Sequence, residues 1–404
     1  MKRIFPNSSS LHWSIALAGI GWILWDMPFV ILVLPTDFEY YFKAAQRLLD
    51  GSNIYYDWMA ESVREGMGSW YLYPPYFAGA LTPLTFLGHL QAKLVFACLS
   101  VLALAGVDAL LVLFRRQHFP AQPSLDWMIH CLVFFTPPAR LAIGSLQVEG
   151  MLLFLFLLML YLLAKQRSAW FVGAAYAPGV MIKLWPGPYL ASLWLVSGRR
   201  ILGPAIMIGL SVILGFTVFF GWRPQWEYVR AILPDLMTYA DPYKDNQSLS
   251  LFLLQIASLS ENSVRIVRWA ILASYFAATY ASRRALRVGD ARALFINASL
   301  FLCVSLLVTP TAWTAAHLRL LPPMVLACGF CASSDPIRKV MLTMTFLSVI
   351  FYIYPQELFK KNLPVYIDRY PILYSVILLY IVFSILAYKK GVWAPTDAQT
   401  PDKP

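Results

Sequence analysis

The residues able to do chemistry are few, and they stand at the ends of apolar runs. Asp37 follows the first such run and opens the stretch "TDFEYYFKAAQRLLDG". Thr36 and Glu39 have the T-x-x-E spacing of a capping box, so a helix is expected to start here with Asp37 in its first turn. A helix N-terminus favours negative charge, which would leave Asp37 ionised and able to take a proton. An aspartate in a first turn is also an ordinary capping feature. Glu39 is a substitute carboxylate whose plain explanation is the cap itself. Lys183, in "GVMIKLWPGPYL", and Arg140, in "TPPARLAIG", are cations in apolar surroundings. Such residues either serve function or snorkel to the surface.

Other polar side chains are open to two readings. His317 and Arg319 follow "TPTAWTAA". Asn246, Gln247 and Ser248 offer groups that suit sugar hydroxyls, but they also read as a polar helix start and an N-x-S sequon. Gln147 and Glu149 begin a further apolar run and line a site only if that end faces outward. Tyr41, Tyr73 and the tryptophans at run ends fit an interfacial aromatic belt as well as a sugar platform. Cys98, Cys131, Cys303, Cys328 and Cys331 all lie in apolar runs and read as helix packing. The acids of the first polar loop have no histidine partner, so neither metal nor cofactor is expected.

The elements that must hold these residues are helices in a bilayer. The chain has 404 residues, 59% hydrophobic and only 13% charged, with a mean hydropathy of +0.61. Apolar runs fall near 11–34, 74–90, 92–114, 127–143, 146–164, 169–196, 201–220, 264–282, 293–312, 317–333, 340–354 and 371–388. Each needs about 20 residues to cross hydrocarbon as a helix, so an all-α polytopic membrane protein of about twelve spans is expected. The net charge of +11 follows the positive-inside rule better than any nucleic-acid partner, since no basic run alternates with aromatics in a soluble segment. Arg199/Arg200, Arg283/Arg284/Arg287/Arg292, Arg338/Lys339 and Lys389/Lys390 mark the cytoplasmic side. Loops 35–73, 221–262 and 355–370 are then external and both termini cytoplasmic. Residues 1–390 read as one integral-membrane domain and 391–404 as a disordered tail. Single crossings leave Arg115/Arg116 and Lys165/Arg167 outside, against the rule. Either the rule is broken there, or one segment in 74–114 and one in 169–196 is re-entrant.

After Asp37, Phe38, Tyr41, Phe42, Ala45, Leu48 and Leu49 recur at helical spacing, with charged residues opposite and Gly51 as a stop. This predicts an amphipathic helix in the membrane interface, apolar face down, forming the floor of a site between lipid and water.

"DFEYYFKAAQRLLDGSNIYY" followed by "YLYPPYFAGALTPL" at 71–84 resembles glycosyltransferase family 87, membrane mannosyltransferases of the C-type superfamily. "GSLQVEGMLLF", "GVMIKLWPGPYL", "NQSL" and "TPTAWTAAH" extend the likeness in order, over roughly residues 11 to 325. The resemblance implies a C-type bundle whose active site lies under the first external loop. It also implies a transferase that takes a sugar, often mannose, from a polyprenyl-phosphate donor to a lipid or glycan acceptor, on the outer face of a plasma membrane. A carboxylate would take the proton of the attacking hydroxyl, and Asp37 matches the family's aspartate. Lys183 matches a family lysine suited to the leaving phosphate. His317 resembles a family histidine that often stands two residues after the tryptophan; here that place is Ala315, and Arg319 is the alternative contact. A transporter or flippase is the rival reading, since charges and broken helices within the membrane suit one. The chain shows no pair of matching halves.

Overall fold

The structure, a computed structural model, describes residues 8–34, 36–55, 71–118, 125–197, 199–238, 246–287, 291–330, 336–353 and 370–388. Loop 355–370 apart from Tyr370, much of loop 35–73, Cys331 and the tail 391–404 lie outside the described residues. What is described is helical; the one β-type pairing is an isolated bridge between Asn246 and Trp313.

The first helix, α1 (Ser8–Leu32), is apolar on all sides, and Leu17, Trp25 and Leu32 remain exposed. Next comes α2 (Asp37–Leu49), then α3 (Pro75–Leu81) with a 3-10 turn over Thr82–Phe86, and α4 (His89–His118). α5 (Leu125–Phe134), α6 (Pro137–Gly144), α7 (Glu149–Ala164), α8 (Ala169–Ile182), α9 (Tyr189–Ser197) and α10 (Arg199–Phe220) follow. Short pieces, α11 (Arg223–Glu227), a π-turn, α12 (Leu233–Thr238) and α13 (Leu249–Gln255), lead to α14 (Glu261–Arg287) and α15 (Ala291–Val308). A 3-10 segment, Thr314–Leu320, then precedes α16 (Leu321–Phe330), α17 (Pro336–Ile353) and α18 (Pro371–Tyr388).

Among the described residues, four helical stretches are long and apolar enough to cross a membrane: Ser14–Leu32, His89–His118, Leu202–Phe220 and Ala291–Val308. Shorter apolar helices surround them, so the described helices do not establish a count of twelve. Val218 and Phe219 on α10, like Trp25 on α1, are more than four-fifths exposed. Apolar surface of that extent is unfavourable against water and neutral against hydrocarbon, which makes this a membrane protein. By contrast α15 is buried along nearly its whole length, from Ala293 to Leu307, and forms the centre of the bundle against α7, α14, α16 and α18. Gly173 lets α8 close on α10, where an added Cβ would sit 3.0 Å from the Ala205 backbone nitrogen.

Two expected spans differ. The run 74–90 folds as seven residues of α3 and five of 3-10 turn, too short to cross, because Pro83 and Gly88 interrupt it. The run 169–196 is two helices, broken at Lys183–Pro188 by Pro186 and Pro188. A third break was not anticipated: α6 and α7 meet at an angle of 115° across residues 145–148. The amphipathic helix forms as the spacing predicts, and Gly51 takes φ +68° at its end, a conformation that disfavours other residues. Its apolar face is not open to lipid. Phe38, Tyr41, Phe42, Ala45 and Leu48 are buried, with α3, the first 3-10 turn and α4 packed on α2.

Candidate active site

Three chain breaks meet where α2 begins. The Asp37 amide donates to the Ser145 carbonyl at 2.9 Å, which fixes the α2 N-terminus against the α6–α7 break. Leu146, buried in that break, has φ 49°, a left-handed conformation that costs a non-glycine residue about 1 kcal/mol. The turn aims Gln147 at Asp37 and starts α7 with Glu149. Lys183 caps the end of α8 in an extended conformation. The turn after it is clamped by the Tyr176 hydroxyl, which reaches the carbonyls of Pro186 and Gly187, both at 2.8 Å.

The charges are arranged around Glu149, whose side chain is 1% exposed. Lys183 Nζ lies 2.6 Å from Glu149 Oε1, and the Arg319 guanidinium reaches both carboxylate oxygens at 3.2 Å. Lys183 also stands over the Tyr73 ring at 5.3 Å, and Arg319 over Trp185 at 4.2 Å. A buried carboxylate is tolerated only when paired in this way. Buried Arg319 and half-buried Lys183 against one carboxylate leave a net positive charge beside Asp37.

Asp37 itself is partly buried. Burial lifts its carboxyl to about 6, against the pull of Lys183 and of hydrogen bonds from Gln147 and Tyr41. The Tyr41 and Tyr73 hydroxyls are 3.0 Å apart. Tyr41 is buried, and both tyrosines stand near Asp37 instead of on the bundle's surface. Glu39 is engaged elsewhere. The Thr36 amide and hydroxyl donate to its Oε2 at 2.9 and 2.6 Å, and Lys93 Nζ donates to Oε1 at 2.7 Å and to the Leu34 carbonyl at 2.9 Å. Burial raises the Glu39 carboxyl, but Lys93 and Thr36 outweigh it and hold the group below its usual range. Lys93 thus ties the end of α1, the cap of α2 and the start of α4 together.

His317 is fully buried two residues before Arg319. Its Nδ1 lies 3.0 Å from the Trp313 carbonyl, and its Nε2 has no hydrogen-bond partner among the described residues. The indole nitrogen of Trp185 is likewise unpartnered. Two orphaned groups beside one ion cluster are uncommon, since buried polar atoms are nearly always satisfied. Asn246 does not face the site through its oxygen: Oδ1 accepts from the amides of Ala312 at 2.9 Å and Ser248 at 3.0 Å. Gln247 is buried beside it, with its amide on the Ala312 carbonyl at 2.8 Å. Both residues thereby brace the loop that precedes His317, and burial closes the sequon to modification. Arg140 lies apart, exposed and 3.8 Å from Asp26 on α1. Glu149 as the shared counter-ion and Trp185 as the lid on Arg319 were not assigned from sequence. A lone acid opening an apolar run, 34 and 170 residues from its partners, was the available signal. Among the described residues no group of three or more His, Cys, Asp or Glu could hold a metal ion.

Asp37, a titratable carboxyl, thus stands beside an ion cluster of Glu149, Lys183 and Arg319 in a helical membrane protein. The chain belongs to glycosyltransferase family 87, whose model matches residues 71–310. It is a membrane glycosyltransferase. That match contains Gln147, Glu149 and Lys183; Asp37 and His317 flank it on either side. Among curated proteins the chain is similar to a polyprenol-phosphate-mannose-dependent alpha-(1-2)-phosphatidylinositol mannoside mannosyltransferase of Mycobacterium tuberculosis. The two are 23% identical over 331 residues, covering 78% of this chain and 75% of the relative. No solved structure matches.

Proposed function

We propose that the protein transfers a hexose, mannose in the first instance, from a polyprenyl-phosphate sugar to a hydroxyl of a lipid or glycan acceptor, with Asp37 as general base. The observation that carries this is the placement of the Asp37 carboxyl beside Lys183 and the Glu149–Arg319 pair, with burial lifting it to about 6. A carboxyl in that range is ionised at neutral pH yet basic enough to accept a proton as the oxygen attacks. The acceptor hydroxyl loses its proton to Asp37 while its oxygen bonds to the anomeric carbon. The bond from that carbon to the phosphate oxygen breaks, and the phosphate leaves with the electron pair. A single displacement of this kind inverts the anomeric configuration.

The leaving phosphate gains charge as the bond breaks, and Lys183 and Arg319 are held to receive it. Cations fixed before the reaction need no reorganisation during it. Glu149 positions both, and the unpartnered Trp185 indole N–H needs an acceptor, whereas His317, whose Nδ1–H faces the Trp313 carbonyl, offers Nε2 as an acceptor that suits a hydroxyl. The donor phosphodiester carries one negative charge, which matches the single excess positive charge of the Glu149 cluster. The relative's dependence on polyprenol-phosphate mannose supports the same donor class here.

The site would lie on the outer face of the plasma membrane, with the termini cytoplasmic. Because 75–86 is too short to cross, α4 starts beside Glu39 and runs about 45 Å to the opposite end. That carries Arg115 and Arg116 to the cytoplasmic side. α7 likewise leads from Glu149 toward Lys165 and Arg167, and α8 returns to Lys183. The positive-inside rule is then kept in the region that resisted it.

The test is purified protein in liposomes with labelled polyprenyl-phosphate mannose and a glycolipid acceptor. Transfer that is lost in Asp37→Asn supports the reading. Movement of lipid-linked sugar across the bilayer, undiminished in Asp37→Asn and without a new glycosidic bond, would favour a flippase instead.

A further inference from the structure

The chain leaves α10 at Gly221, whose φ of +76° turns it aside. Residues 223–238, which are α11, the π-turn and α12 end to end, then form a helical segment about 24 Å long. Its patterning is the reverse of a helix that faces water. Gln225, Tyr228 and Ile232, three and four residues apart, are buried against the bundle. Trp222, Trp226, Val229 and Met237 recur at helical spacing on the outward side, and each is more than half exposed. Arg223 and Arg230 are exposed with them. Beside water, the apolar stripe would turn inward and the glutamine outward. Three contacts hold the segment in this orientation. Gln225 Nε2 donates to Thr217 Oγ1 of α10 at 2.9 Å, and the Tyr228 ring stands 6.0 Å from that of Tyr55. Arg268 of α14 donates to the Met237 carbonyl at 3.2 Å and to the Val308 carbonyl, at the end of α15, at 2.6 Å.

We propose that residues 222–238 are a membrane-docking surface that lies flat in the leaflet beside the candidate site, with Trp222, Trp226, Val229 and Met237 among the upper acyl chains and Arg223 and Arg230 at the lipid phosphates. Continuity identifies the occupant. Val218 and Phe219, four and three residues before Trp222, face hydrocarbon, and exposed apolar side chains continue from them through Trp222 to Trp226. Tryptophan favours the boundary between hydrocarbon and water, and arginines beside an apolar helix face suit the phosphates found there. The surface also bears on the site. Tyr228, on its inner side, packs on Tyr55, whose hydroxyl donates to the Tyr73 carbonyl at 3.0 Å, and Tyr73 meets Tyr41 beside Asp37. The docked segment thereby ties the site to one depth in the leaflet, whatever reaction the site performs.

The test uses the full chain in liposomes of phosphatidylcholine and phosphatidylglycerol. An aryl diazirine dissolved in the bilayer is photolysed in one sample, hydroxyl radicals are generated in the water of another, and mass spectrometry locates both modifications. The expected result is carbene adducts on Trp222, Trp226, Val229 and Met237 in yields equal to those on Phe219, with none on Gln225, Tyr228 or Ile232. Diluting the protein in lipid should leave this pattern unchanged. Adducts on Phe219 but not on the four outward residues overturn the assignment. In that case oxidation of Trp222, Trp226 and Met237 marks a loop that faces water, and protection from both reagents marks a protein partner or a second copy of the chain. Absence of adducts from Phe219 as well removes the continuity and overturns it equally. Transfer activity does not enter the measurement, so its outcome stands apart from that of the transferase reading.

Discussion

The molecule buries two ion clusters, and they are built differently. In one, toward the C-terminal end of α4, Asp126 at the start of α5 is 2% exposed and held by Arg115 at 2.6 Å and Arg116 at 3.3 Å. Its partners are ten and eleven residues away, in the adjoining helix. Deeper along the same pair of helices, His130 Nδ1 meets Asp108 Oδ1 at 2.8 Å. In the other, Glu149 is joined by residues 34 and 170 positions distant, and the cluster has two orphaned ring nitrogens and a neighbouring carboxyl lifted to about 6. The first cluster is local and satisfied, as a structural lock between consecutive helices should be. The second assembles remote segments and stays incomplete. Under the proposed transfer, the donor phosphate would complete the second cluster.

Substitution separates the two. The largest effect is expected from Asp37→Asn, which should lower transfer by about 10³-fold, within the range for general bases. It should not lower the melting temperature. A folded carboxyl at about 6 lies above its unfolded value, so it favours the fold while protonated, and that contribution is lost as pH rises through about 6. At pH 7 the ionised group opposes folding, and removing it leaves stability unchanged or higher. Next, Glu149→Gln and Asp126→Asn should each destabilise by about 3 kcal/mol, since each strands one buried arginine, Arg319 or Arg115. Only Glu149→Gln should also reduce transfer per folded molecule. Equal losses of transfer in both would erase the distinction drawn here. A smaller effect is expected from acid: kcat/KM should fall about tenfold per pH unit below 6 and level off above it, because the base works ionised. Smallest is Tyr73→Phe, which removes the hydroxyl 3.0 Å from that of Tyr41 and should slow transfer by about fivefold, the worth of one neutral hydrogen bond.

Much of the candidate site was readable one residue at a time. Thr36, Asp37, Glu39 and Gly51 announce a capped helix because cap chemistry is local, and Lys183 stands out because a lysine in an apolar run needs a reason. The pairing of Lys183 and Arg319 through Glu149 was not readable, because no periodicity links positions separated by 34 and 170 residues. Hydropathy likewise could not tell a crossing from a half-buried turn. The run 74–90 is as apolar as a span, yet it is cut by Pro83 and Gly88 and packs against α2. Asn246 had the side chain of a sugar ligand, but its oxygen serves the Ala312 amide across 66 residues. Tyr41 and Tyr73 looked like belt residues because composition reports that a tyrosine sits near an interface, not which way it points.

The most direct measurement is kcat/KM for transfer from a polyprenyl-phosphate sugar between pH 5 and 8, in wild type and Asp37→Asn. The account predicts a wild-type profile that rises through about 6 to a plateau and a residual activity in the variant that shows no such rise. An Asp37→Asn enzyme with wild-type turnover, or one that retains the same acidic limb, would contradict it.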